Sequence, residues 1–164
     1  MAYRNKTYIA FDGDTDMDYY NMLKAWKANN NIDFDFYDAH ELNTARDSSL
    51  TESIKNQLRV RFDNSKVFVI LVGKNTKWNR KYIPWEIKQA VNRDLPIIVV
   101  NINNKRKMCN ETCPKLLRKK LAIHIPFKSK ILQYAIQTWS GVMKIIKIKV
   151  NLVLITIKIQ SMIL

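Results

Sequence analysis

Glycine occurs three times, proline four times, and cysteine and histidine twice each in a chain of 164 residues. Each scarcity removes a class of function. With glycine only at Gly13, Gly73 and Gly141, the chain has neither a G-x-x-x-x-G-K-[ST] phosphate loop nor a G-x-G-x-x-G dinucleotide turn. So little glycine and proline also argues against a loop-rich sandwich or a disordered chain. Cys109 and Cys113 form a lone C-x3-C ahead of Pro114, and His40 and His124 do not complete a zinc site. No metal is expected, and both cysteines read as plain thiols of a reducing compartment. Met1 runs into the polar, basic stretch Ala2–Lys6 without an apolar signal segment, so a cytoplasmic location is expected.

Acids are scarce too, but only in one half. Residues 1–63 hold 8 Lys/Arg and 11 Asp/Glu; residues 64–164 hold 20 and 3, the three being Glu86, Asp94 and Glu111. The formal charge of +14 therefore belongs to the second half. Such a distribution suits a solvated basic surface or a nucleic-acid stripe. No RNA-binding aromatic signature or zinc-finger spacing supports the stripe, and nucleic acid is not the expected partner.

What is present is strand and helix patterning in alternation, centred on Ser65–Val91. Lys66–Val72 is a continuous β-branched and aromatic run, the pattern of a strand covered on both faces. Gly73 ends it, and a polar turn leads to a helix from about Ile83, with Pro84 in the first turn where its missing N–H is no loss. Ile83, Ile87, Ala90 and Val91 form the apolar stripe of that helix, with Glu86 about a hundred degrees off it. The lone carboxylate is either chemistry or a solvent-facing partner of Arg80 or Lys81.

Upstream, Thr7–Phe11 reads as the first strand, closing on the acidic turn Asp12–Asp16. Asp18–Ala28 follows as a helix with Tyr19, Met22, Leu23 and Trp26 inward. Ile32–Tyr37 alternates as an edge strand does. Beyond the polar segment Asp38–Ser48, the capping box Ser49-Leu50-Thr51-Glu52 opens a helix that turns Leu50, Ile54, Leu58 and Phe62 inward. Downstream come a strand at Pro96–Val100, a loop at Ile102–Thr112, a short basic helix at Pro114–Lys120, a strand at Ala122–Ile125 and a last helix at Ser129–Trp139.

This order predicts a three-layer α/β fold with flavodoxin-like winding: a five-stranded, mostly parallel sheet in the order 2-1-3-4-5 with helices on both faces. One domain is expected over residues 1–140. Ligands of open α/β sheets bind where the winding reverses, here between Phe11–Asp14 and Gly73–Asn75 at the carboxyl ends of strands one and three. The Lys/Ile-rich tail, residues 141–164, stands apart, with no acid and no proline. It reads as β-prone, and its lysines interrupt it too often for a membrane span. An end foreign to the domain, an edge strand or an oligomer contact are the expectations for it.

Several chemistries meet this crevice poorly. Asp12-Gly13-Asp14-Thr15 resembles the first motif of haloacid-dehalogenase-type phosphatases, but three acids after Asp63 leave little to hold their metal. A response-regulator receiver needs an aspartate ending strand three, where Val72-Gly73-Lys74 stands. An EF-hand reading of Asp12, Asp14 and Asp16 fails at Met17 and Leu23, its sixth and twelfth positions.

Tyr8–Asp14, Tyr19–Trp26, Val69–Gly73, Trp85-Glu86-Ile87 and Ile97–Val100 together resemble a bacterial TIR-like domain, of the group that includes the ThsB proteins of Thoeris antiphage systems. The resemblance covers about Lys6–Asn103. It implies NAD+ as substrate rather than cofactor, cleavage of the nicotinamide–ribose bond, and release of a cyclic or conjugated ADP-ribose signal that reaches a partner effector by diffusion. It further implies that Glu86 is catalytic, and that Phe11, Asp12, Gly13, Asp14, Gly73, Lys74, Asn75, Tyr82 and Trp85 line the substrate crevice. Many TIR enzymes carry Trp four residues before the glutamate; this chain has Tyr82 there and Trp85 beside it. Homo-oligomer formation is compatible with the fold, no membrane partner is expected, and a non-catalytic TIR assembly module is the alternative function.

Overall fold

The computed structural model describes residues 6–29, 36–37, 52–80 and 82–163. The Asp38–Ser48 segment, Ser49–Thr51 of the capping box, Lys81 and the first residues of the expected second strand lie outside them. Five strands form one sheet: β1 (Thr7–Ala10), β2 (Phe36–Tyr37), β3 (Val67–Val72), β4 (Ile97–Asn101) and β5 (Ala122–Pro126). Their order is β2-β1-β3-β4-β5, and every ladder is parallel. Thr7 pairs with Val67 and Phe68 with Ile97; β1 ends at Ala10 opposite Ile70, and β3 and β4 run two residues further to the Val72–Asn101 pair.

Helices cover both faces because β3 and β4 are apolar on both sides. All six residues of β3 and all five of β4 are buried. On one face Ile9, Val67, Val69, Leu71, Ile98 and Val100 meet α1 (Met17–Ala28) and α4 (Ser129–Ile163), through Tyr20, Leu23, Leu132, Ile136 and Trp139. On the other, Tyr8, Ala10, Phe68, Ile70 and Val72 meet α2 (Glu52–Asp63) and α3 (Tyr82–Asn92), through Leu58, Phe62, Ile83, Ile87 and Ala90. Each fully buried aliphatic or aromatic side chain contributes roughly 1.5–3 kcal/mol. The two faces therefore form two separate cores of comparable weight.

Several local expectations need correction. In α1 the buried pair is Tyr20 and Leu23, while Met22 is 46 % exposed, because the helix lies with Tyr20 against Phe11 and Phe36. The basic helix expected at Pro114–Lys120 is a single 3-10 turn at Lys115–Leu117. Residues 141–163 are not an edge strand: α4 runs unbroken for 35 residues, about 50 Å. Met143 and Ile146 extend the stripe that packs on the sheet, and Lys147 pairs with Asp94. Helix also satisfies each backbone group within the segment itself, which a strand without a neighbour does not. From Ile148 to Leu154 every residue is exposed. No helix among the described residues is long and apolar enough to cross a membrane.

With glycine so rare, left-handed turns fall to other residues. Asp94 (φ 53°) and Asn104 (φ 60°) take them, two residue types that tolerate this conformation. At Asp94 the turn ends α3, with the N–H of Asp94 donating to Val91 O and that of Leu95 to Ala90 O.

Candidate functional site

Glu86 is not on the surface of α3. It occupies the i+3 position between Ile83 and Ile87, inside the stripe rather than beside it, and is 3 % exposed. A solvent-facing role with Arg80 or Lys81 is thereby overturned. Its partner is Tyr8 of β1, whose hydroxyl donates to Glu86 Oε1 at 2.7 Å. The Tyr8 ring stacks on Phe62 of α2 at 3.8 Å, so sheet, α2 and α3 enclose the pair. Burial raises the Glu86 carboxyl to about 8, with the Tyr8 bond opposing the shift. Tyr8 rises well above its usual range, by burial first and by the Glu86 charge second. Near neutrality burial thus favours the neutral acid form of Glu86 in the folded protein. Perturbed groups of this kind concentrate at functional sites.

The switch-point edge is built by a second buried acid. Asp16 closes the β1 turn: its N–H donates to Asp12 O at 2.8 Å, and its carboxylate accepts from Thr76 Oγ1 at 3.3 Å. Thr76 Oγ1 in turn accepts the Gly73 N–H at 2.8 Å, which ties the end of β1 to the end of β3. Burial raises Asp16, against the two hydroxyls that favour its charged form. Gly73 is required here, since a Cβ would lie 2.7 Å from Asp16 Oδ2 and 2.9 Å from its Cγ.

A profile of the Thoeris protein ThsB TIR-like domain matches residues 8–107, more than half the chain, from the second residue of β1 through β4. The chain belongs to the ThsB TIR-like family. It is thereby a TIR-like domain of Thoeris antiphage defence.

Seen as a ThsB TIR-like domain, the predicted crevice residues separate into groups. Asp12 is buried and its Oδ1 accepts the Asp14 N–H at 3.1 Å, so it shapes the turn; Gly13 and Asp14 are exposed at its tip. Phe11 stacks on Tyr20 at 4.3 Å as part of the α1-side core. Lys74 and Asn75 are exposed beside Gly73 at the end of β3. Trp85 is half-buried against Phe62, edge to face at 6.1 Å, next to the Tyr8–Glu86 pair. Tyr82 begins α3, its N–H capped by Asn79 Oδ1. Glu86 and Trp85 therefore sit on the α2/α3 face and Phe11 on the α1 face, with the Asp12–Asp16 turn and Gly73–Thr76 along the edge between them. Cys109 and Cys113 are free, buried thiols of the loop after β4.

The sequence pattern missed three members. Tyr8 was read only as a strand aromatic, and its hydroxyl became significant once β1 lay under α3. Asp16 and Thr76 lie 60 positions apart and meet only through the β1–β3 pairing. For Glu86 the sequence signals are its place as the lone acid of the helix and the Trp85-Glu86-Ile87 match; its burial is not among them.

Proposed function

We propose that this chain is a TIR-type enzyme that cleaves the nicotinamide–ribose bond of NAD+ and delivers a cyclic or conjugated ADP-ribose signal to a Thoeris effector. The observation that carries the reading is Glu86: in a ThsB TIR-like domain, the only acid of α3 is buried against the sheet and bonded to Tyr8 of β1. As the C1′–nitrogen bond breaks, the electron pair leaves with nicotinamide and positive charge grows on the ribose. A carboxylate from Glu86, freed from its proton, orients the ribose hydroxyls and stabilises that charge. Water then completes hydrolysis, or an adenine nitrogen of the same molecule completes cyclisation; either route releases one proton. Trp85 and Tyr82 supply aromatic walls, and Asp12–Asp14 with Gly73–Asn75 the edge over which the dinucleotide lies. Because Glu86 is enclosed by Tyr8, α2 and α3, substrate entry requires these elements to part. Wild-type protein from phage-infected cells is expected to release nicotinamide from NAD+, followed by chromatography, and Glu86→Gln to release none. Undiminished release by Glu86→Gln removes the assignment.

The burial of Glu86 favours one alternative, a TIR module that acts by assembly alone. Under that reading cells carrying Glu86→Gln resist phage as the wild type does, and under the enzymatic reading they lose protection. The phosphatase reading fares less well: Asp12 is engaged in the turn, and no three His, Cys, Asp or Glu side chains among the described residues gather to hold a metal.

A further inference from the structure

A cleft of about 370 Å³ opens between the 3-10 turn at Thr76–Trp78, the first turn of α3 and the Lys115–Leu117 turn. This volume lies within the ~300–1,000 Å³ of ordinary ligand sites. None of its lining residues belongs to the β1 turn, and Tyr8 and Glu86 are not among them. It is a different place from the crevice discussed above.

Its chemistry is one-sided. Lys77, Arg80, Lys115 and Arg118 line it, and no acid does. The adjacent start of α3 adds the positive end of an 11-residue helix with no acidic residue in its first turn. Arg118 is held in place, donating to Asn110 O at 2.7 Å and to Cys113 O at 3.2 Å. Four cations with no acid among the lining residues attract an anion, and an enclosed wall strengthens the field.

Trp78 adds what a plain anion site does not need. It is 64 % exposed and is the aromatic side chain of the lining, with Lys77 Nζ lying over its ring at 4.7 Å from the centroid. Pro84, Ile87 and Pro114 make the remaining wall apolar. An aromatic side chain beside several cations is the arrangement that takes a nucleobase by stacking and its phosphate by charge.

We propose that this cleft binds a mononucleotide-class ligand, its base stacked on Trp78 and its phosphate held by Lys77, Arg80 and Lys115. The site is independent of NAD+ turnover and its occupancy is measured without it. Calorimetric titration of the full chain with AMP, adenosine and inorganic phosphate tests it. AMP is expected to bind more tightly than either fragment and to weaken as salt rises. Trp78→Ala is expected to weaken AMP by roughly 5- to 150-fold, the usual loss on removing one base–aromatic stack. Arg80→Ala, at an exposed position, weakens AMP and flattens its salt dependence, and circular dichroism checks that each variant stays folded. Absence of AMP binding at millimolar concentration, or equal binding by wild type and both variants, overturns the proposal. So does a single-stranded oligonucleotide that binds through Trp78 and Arg80 when AMP does not, which would make the cleft part of a nucleic-acid surface.

Discussion

Replacing Glu86 by Gln is expected to stabilise the protein at neutral pH. The folded state keeps the carboxyl protonated up to about pH 8, whereas the unfolded chain releases that proton near 4.5. Between these values the unfolded state binds fewer protons, so stability falls as pH rises, by about 1.4 kcal/mol per pH unit. The contribution is fully present below pH 4.5 and gone above 8, with ~5 kcal/mol as its ceiling. At pH 7 more than half of it, about 3 kcal/mol, has been lost on the same slope. Glutamine keeps an oxygen to accept the Tyr8 hydroxyl and does not titrate, while its amide costs about 1 kcal/mol in an apolar site. The variant should therefore exceed wild type by ~2–3 kcal/mol at pH 7 and match or fall slightly below it at pH 5. For a chain of this size that is roughly 4–12 °C in melting temperature. Melting curves of both proteins from pH 5 to 8.5 make the comparison, in which Asp16 and every other group cancel. Parallel curves across this window would refute the argument that Glu86 is held buried and neutral.

Four further outcomes follow from the same geometry. Tyr8→Phe removes the donor to Glu86 and should cost about 1–3 kcal/mol in chemical denaturation; it also steepens the loss above pH 7, since the Tyr8 bond opposes the rise of Glu86. Gly73→Ala should destabilise clearly in the same assay, because the new methyl displaces the Asp16 carboxylate from Thr76. Gly141→Ala should do the opposite, raising stability by roughly 0.5–1 kcal/mol, since it lies inside α4 with open space where the methyl goes. Ending the chain after Trp139 removes buried Met143 and should cost about 1.5–3 kcal/mol.

Most of the sheet was legible because its signals are local. Val67–Val72 and Ile97–Asn101 are apolar runs too short for helices, and strands placed between amphipathic helices have few ways to close into a sheet. Boundaries moved by a residue or two. The tail is helix, not strand: lysine among Ile, Leu and Val suits a strand by propensity, yet α4 carries the chain outward with Met143 and Ile146 in its packing stripe. Helix propensity and strand propensity were close there, and continuity with a packed helix decided between them.

Glu86 divides the same way. Its position on the third helix, after a strand ending in Gly73 and a turn led by Thr76, followed from residue order, as did its match to the ThsB TIR-like pattern. Whether it faced water or the interior did not follow. An acid at i+3 of a stripe goes outward unless a donor waits for it inside, and that donor, Tyr8, lies 78 residues away. Local periodicity determined which strands and helices this chain forms and in what order. Only the parallel pairing of β1 with β3, which set Tyr8 beneath α3 and Asp16 against Thr76, decided which acids are buried and how they titrate.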